Sequence, residues 1–283
     1  MREFVIMSDV NTDINGEYAA ENDIKLFPQY YHFNDGTVYG DGEELTPEQF
    51  YGRLAEERAY SMGCNPDRVR GIMEEPVKEG KDIIAVMASS GCSGSYNTVC
   101  TEAADLMQEY PGAKIHVVDS LLESIPAGLM VYMAQEMKKA GSNFEEVVET
   151  LERRKLHLDA YFIVDDLKYL VRGGRLSSFS GAVGTMLNIK PILHFRDGMI
   201  VAYEKCRGKK AAKKKILDDL AAMNLDKNYC SLAHSVNRTE AEEYAGILEK
   251  ELGMKIFSIE ELTLIIGTHT GPGALGVAFM TAD

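Results

Sequence analysis

Short apolar runs alternate with longer stretches of helical spacing through the first half of the chain. Residues 4–7 (Phe-Val-Ile-Met), 83–87 (Ile-Ile-Ala-Val-Met) and 115–118 (Ile-His-Val-Val) read as strands. Between them stand helix signals. Thr46-Pro47-Glu48-Gln49 is a capping box with proline at the first helical position, and Asn65-Pro66 repeats the cap-then-proline pattern. Residues 95–109 have helical periodicity and stop at Pro111-Gly112. Residues 121–139 have it too, with Met130, Met133 and Met137 on one core-facing side, and Ser142 with Glu145 is expected to cap the next helix. Strands alternating with helices of this length predict βαβ units and a parallel sheet.

The second half has a different pattern. Residues 160–164 read as strand. Residues 192–195 and 199–203 flank Arg196-Asp197-Gly198, a hairpin signal. A helix is expected over 209–223, and strands over 229–233 and 256–259 on either side of a helix at 239–252. The expectation is an α/β chain in two domains. Residues 1–156 form a parallel-sheet α/β domain, and residues 157–283 an α+β domain with a mixed or antiparallel sheet.

Composition narrows the function. A net charge of −14 argues against general nucleic-acid binding. No stretch approaches the ~18 apolar residues that cross a bilayer. The first residues read as a strand and are too brief for a signal peptide. Five cysteines without a Cys-x-x-Cys pair read as reduced thiols, with no zinc site and no disulfide frame. The expected location is the cytoplasm, with no metal and no cofactor.

Two segments carry candidate chemistry. The strand at 83–87 runs into Ala88-Ser89-Ser90-Gly91-Cys92-Ser93-Gly94-Ser95-Tyr96 and then a helix. The first N–H groups of a helix lack intrahelical partners, and the helix dipole adds positive potential there. Ser93 and Ser95 add hydroxyls. The spacing lacks both the dinucleotide and the P-loop patterns. It suits a small anionic group, or simply a serine-rich helix cap. Near the C-terminus, Ile266-Gly267-Thr268-His269-Thr270-Gly271-Pro272-Gly273-Ala274-Leu275-Gly276 packs four glycines into ten residues around His269. Glycine lets the backbone approach a ligand closely. One enzymatic alternative is a serine acyl hydrolase or transferase using Ser93, His269 and an acid such as Asp119 or Asp9. The Gly-x-Ser-x-Gly elbow of such enzymes is absent. A basic run, Lys205, Arg207, Lys209, Lys210, Lys213, Lys214 and Lys215, has no intervening acid. It reads as a solvated face or a docking patch.

These motifs together resemble the DegV family. Ser89-Ser90-Gly91-Cys92-Ser93-Gly94-Ser95-Tyr96 resembles its serine-glycine signature, and His269-Thr270-Gly271-Pro272-Gly273-Ala274-Leu275-Gly276 its C-terminal signature. Three further blocks agree in order: Leu167-Lys168-Tyr169-Leu170 with Gly173-Gly174-Arg175, Leu187-Asn188-Ile189-Lys190-Pro191, and Arg207-Gly208-Lys209-Lys210-Ala211. Ser8-Asp9 with Asp13 resembles the opening motif.

The resemblance implies a bacterial, non-catalytic, two-domain protein that binds a long-chain fatty acid in a buried tunnel. It also implies a partner, the ATP-dependent catalytic subunit of a fatty acid kinase, to which the carboxylate is presented on the way to phospholipid synthesis. Motif matching places the head group at Ser93 and His269. The Gly94 and Ser95 amides are added from the helix N-terminus argument, and Thr268 as the neighbour of His269. Arg207, with Lys205, Lys209 and Arg172, is the candidate docking set, with at most transient membrane contact. The Gly-Gly-Arg block around Arg175 is weighed between docking and shaping its loop. One departure stands out. The family often has Thr-Ser-Gln-Pro-Ser where this chain has Gly63-Cys64-Asn65-Pro66-Asp67, so the threonine hydroxyl is missing. A water, a backbone amide or Asn65 is expected to compensate, unless the ligand's head group differs from that of an ordinary fatty acid.

Overall fold

A computed structural model describes residues 2–42, 44–176 and 189–282. The first part of the chain runs β1 (Phe4–Asp9), α1 (Gly16–Glu21), β2 (Lys25–Phe27), β3 (Tyr30–His32), β4 (Val38–Tyr39), α2 (Pro47–Glu56) and β5 (Tyr60–Met62). It continues through α3 (Pro66–Lys78), β6 (Asp82–Met87), α4 (Ser95–Glu109), β7 (Ile115–Asp119), α5 (Ile125–Lys139) and α6 (Phe144–Arg154). Then follow β8 (Leu158–Ile163), α7 (Lys168–Arg172), β9 (Ile189–Arg196), β10 (Met199–Arg207), α8 (Lys209–Ala222) and β11 (Leu225–His234). The last elements are α9 (Arg238–Leu252), β12 (Ile256–Glu261), α10 (Leu264–Thr270) and β13 (Leu275–Thr281).

A four-stranded sheet, β2-β1-β6-β7, is parallel throughout. Every residue of β1 and β6 is buried, as a parallel sheet covered on both faces requires. Side chains alternate between the faces. Val5, Met7, Ile83 and Met87 pack with α3 and α4, whereas Phe4, Ile6, Ile84 and Val86 pack toward α5. A six-stranded sheet, β10-β9-β8-β13-β11-β12, is antiparallel except for the β11–β12 pair. Helices α8 and α9 cover its far face through Ile216, Leu220, Tyr244 and Leu248.

Helix α5 is the layer between the two sheets. Residues 125–135 are all buried, because α5 touches β1 and β6 on one side and β8, β11 and β13 on the other. A helix apolar all round belongs in such a place. Its Gly128 is needed for close approach, since a Cβ there would lie 2.5 Å from the Thr12 carbonyl oxygen.

The fold class expected from the pattern is the one observed, with local corrections. The helix expected from 121 begins at Ile125, because Leu121 and Ser124 both have positive φ and form a loop. Asn143 with Glu146, not Ser142 with Glu145, makes the reciprocal cap of α6. His269 lies in the last turn of α10 rather than in an open loop. A third, antiparallel sheet, β4-β3-β5, has strands too short to read from periodicity. It packs an aromatic cluster, Tyr31, Phe33, Phe50 and Tyr51, beneath α10. Of the block at 187–191, Leu187 and Asn188 lie outside the described residues, and Ile189 opens β9.

The expected hairpin joins β9 to β10 and reaches the other sheet. The Gly198 carbonyl at its tip accepts from Ser89 Oγ at 2.8 Å and from Cys92 Sγ at 3.3 Å. This contact seats the second sheet on the serine-glycine loop.

Candidate functional site

The site begins where β1 and β6 end. The buried Asp9 carboxylate accepts from the Ala88 amide at 2.9 Å, the Asn11 amide at 2.9 Å and Gln29 Nε2 at 3.0 Å. Burial nevertheless pushes its pKa up to about 6. Beyond Ala88 the chain makes a tight turn, with the Cys92 and Ser93 amides donating to the Ser89 carbonyl. Helix α4 then starts at Ser95; its N-cap residue, Gly94, has no side chain to offer, and Ser93 Oγ accepts from the Ser95 amide at 3.3 Å. Ser93 Oγ donates to Ser95 Oγ at 3.0 Å, and Ser95 Oγ accepts from the Cys64 amide at 3.1 Å. Ser95 is therefore a buried support for Ser93.

His269 arrives from the other side on α10. Its Nε2 lies 2.8 Å from Ser61 Oγ, while Nδ1 is buried without a hydrogen-bond partner. Gly173 leaves room for the ring; a Cβ there would sit 2.2 Å from Nδ1. Burial first, then repulsion from Arg175 and Arg58, pushes the imidazole pKa down to about 3. The ring is neutral at physiological pH, with one N–H to give. Arg175 follows the Gly173-Gly174 turn. Its Nε donates to the Cys92 carbonyl at 3.0 Å and its Nη1 to the Gly173 carbonyl at 2.6 Å.

Ser93, Gly94 and His269 share one cavity of about 340 Å³, also lined by Ser61, Cys92 and Arg175. Among its described lining residues Arg175 is the sole guanidinium or ammonium group and Glu123 the sole carboxyl. The cavity meets a narrower apolar one of about 60 Å³, walled by Ile125, Phe162, Phe195, Leu262 and Leu275. Glu123, Ile200, Ile266 and Thr270 belong to both linings and form the neck.

The other expected head-group residues stand elsewhere. Asn65 caps α3 by accepting from the Arg68 amide at 3.1 Å, so its side chain is engaged there. The Thr268 hydroxyl is turned back onto the Ile265 carbonyl at 2.8 Å, beside a small cavity that includes Arg58 and Arg172. Gly63 does line the main cavity, where a Cβ would come within 3.1 Å of Ser95 Oγ. Sequence reasoning missed Ser61 and Glu123, which carry no motif, and weighed Arg175 between docking and loop shaping, not as a lining residue of this cavity.

The geometry does not assemble a serine triad from the described residues. Ser93 bonds Ser95, and His269 bonds Ser61. Asp119 accepts from Ser90 and Leu121, and Asp9 from Ala88, Asn11 and Gln29. An imidazole held near pKa 3 is also a weak general base.

The basic run is largely paired in space. Lys209 and Lys213 hold Glu240, Lys214 holds Asp218, and Lys215 holds Asp219. The acids come four residues later on the helix, or from α9, so the unbroken run of bases in the sequence overstates the local charge. Lys209 also donates to the Gly273 carbonyl at 2.8 Å, anchoring the C-terminal glycine segment. Arg172 stacks on Tyr169, and its carbonyl accepts from Arg58. Arg207 is exposed at the end of β10, an edge strand, and Lys205 is exposed on the same strand.

Known proteins are similar to this chain over nearly its whole length. The family model described as "Uncharacterised protein, DegV family" matches residues 3–282. A DegV domain-containing protein of Clostridium perfringens is 35% identical over 99% of this chain and 98% of its own length. A solved structure from Thermus thermophilus, described as "Fatty Acid Binding of a DegV family Protein", superposes with a TM-score of 0.89. It is 26% identical, and the match covers 100% of both chains. A DegV-family structure from Ruminococcus gnavus, described with vaccenic acid, has a TM-score of 0.87 and 28% identity over 97% of this chain and 99% of its own. With the family model matched over residues 3–282 and relatives matched from end to end, this chain belongs to the DegV family.

Proposed function

We propose that this protein is a non-catalytic carrier of a long-chain fatty acid. One observation carries the reading: a polar cavity with a single cationic side chain among its described lining residues adjoins an apolar one across four shared lining residues. A carboxylate removed from water must be hydrogen-bonded or it takes up a proton. Ser93, His269 and Arg175 supply hydroxyl, imidazole and guanidinium donors on one wall system. The tail supplies affinity. Each buried methylene is worth about 0.8 kcal/mol, so roughly a dozen give on the order of 10 kcal/mol before ordering costs. A long tail enters the 60 Å³ arm by parting the side chains of its walls, Phe162 and Phe195 among them. The Thermus thermophilus structure described as fatty-acid binding, and the Ruminococcus gnavus structure described with vaccenic acid, support the same reading.

We further propose that the bound carboxylate is presented in the cytoplasm to an ATP-dependent kinase subunit that docks near Arg207. The support is the family resemblance and the exposure of Arg207 on an edge strand. Both claims meet in one experiment. Protein incubated with palmitate should retain one molecule per chain, and Arg207→Glu should retain as much. With the kinase subunit and ATP added, phosphorylation of the fatty acid should fall at least about tenfold in Arg207→Glu. Failure of the parent protein to hold palmitate would end the carrier reading. Equal phosphorylation in both would end the docking assignment.

A further inference from the structure

Glu123 is not explained by an unsubstituted fatty acid. It lines both cavities at their neck, and its Oε1 is buried without a hydrogen-bond partner. An alkyl chain passing this neck would leave that oxygen unpaired, and a buried polar atom kept from any partner costs affinity. The placement is not loose. Leu121 and Ser124 bracket Glu123 with φ of 61° and 64°, a region that non-glycine residues rarely adopt. The loop is pinned there. The Leu121 amide donates to Asp119 at 3.0 Å, the Ser124 amide donates to the Asn11 carbonyl at 2.8 Å, and Ser124 Oγ bonds Asp13. Strain of this kind persists only where the surroundings impose it, and it concentrates at ligand sites.

Burial and the neighbouring carboxyls of Asp9 and Asp13 hold Glu123 well above the usual carboxylate range. The protonated form that this favours has one O–H to donate and a carbonyl oxygen to accept. That is the complement of an alcohol. A second carboxylate is met better by Arg175 on the other part of the cavity wall. Distance along the ligand follows from the topology of the space. If the ligand's carboxylate lies among Ser93, His269 and Arg175 and the tail lies in the apolar arm, the neck faces the first few carbons.

We propose that Glu123 is a specificity-determining residue that hydrogen-bonds a hydroxyl group close to the carboxyl end of the acyl chain, so that the preferred ligands are hydroxy fatty acids. This rests on the carrier reading above. It deepens that reading by naming the ligand subclass. An aliphatic residue in its place would make the neck indifferent to such a substituent.

The test compares 2-hydroxy- and 3-hydroxypalmitate with palmitate on the full-length protein by titration calorimetry. The better hydroxy acid should bind at least about tenfold tighter than palmitate to the parent protein. In Glu123→Leu that preference should vanish or invert, with palmitate binding gained. Glu123→Gln keeps the shape and both hydrogen-bonding functions, so part of the preference should survive; it also serves as the folded control should the leucine variant not fold. Palmitate binding as tightly as both hydroxy acids, or a preference unchanged in the variants, would overturn the role of Glu123 while leaving the carrier intact. Failure of all three acids to bind would instead overturn the carrier reading beneath it.

Discussion

Arg175→Gln should weaken binding of palmitate by about 100-fold and leave binding of methyl palmitate within about threefold of the parent. Removing one partner of a buried charge pair costs roughly 2–5 kcal/mol, and every 1.4 kcal/mol is tenfold. The ester has no charge to lose, so it reports the tail alone. This control matters because Arg175 also holds the Cys92 and Gly173 carbonyls. If those contacts were its whole role, acid and ester would suffer together. A second readout follows from the electrostatics. Arg175 is one of the groups that push the His269 pKa down, so its removal should raise that pKa, visible as a shifted imidazole titration in NMR. Equal losses for acid and ester would remove Arg175 from the head-group site.

Gly271→Ala should be the most damaging single-methyl change near the site. Gly271 has φ 67° and ψ −175°, a conformation almost confined to glycine. A Cβ there would also lie 2.4 Å from two ring carbons of Tyr169, which is buried in the aromatic cluster under α10. The carbonyl of the same residue accepts from Ser235 Oγ at 2.8 Å, so the peptide is not free to swing away. A loss of about 3 kcal/mol, roughly 6–10 °C in Tm, is expected. Gly246→Ala is the matched control. It lies in α9, and no atom stands within 4 Å of its would-be Cβ. That change should stabilise by roughly 0.5–1 kcal/mol. Thermal melts of the two variants should move in opposite directions; a Gly271→Ala melt at the parent temperature would show that the segment is not so tightly set.

The parallel sheet was legible because its strands are buried on both faces and stand as unbroken apolar runs, 83–87 above all. The hairpin was legible because Asp197-Gly198 states its turn. The register of α5 was not. Helical spacing continues through 121–124, while the backbone there is set by tertiary anchors such as the Asn11 carbonyl. Pro126, near the true start of α5, was the available signal. Ser93 and His269 could be named from their motifs, and the structure places them on one cavity. Asn65 was legible as a helix cap, and that is where its side chain is spent. Arg175 was underweighted because Gly-Gly-Arg reads first as a turn, and only the return of the chain past Cys92 shows where the guanidinium lies. Ser61 and Glu123 belong to no pattern. Their importance is a matter of which segments meet, and one of the meeting segments is a short-stranded sheet invisible to periodicity. The lysine run misled in the opposite way, since pairing at four residues' spacing consumes charge that a linear reading counts as free.

The most direct measurement is a crystal structure of the protein grown with palmitate. The carboxylate should lie within hydrogen-bond reach of Ser93 Oγ and the Arg175 guanidinium, with His269 beside it and the alkyl chain running past Glu123 toward Phe162 and Phe195. Palmitate found on the outer surface, or threaded with its methyl end at Ser93, would contradict this placement.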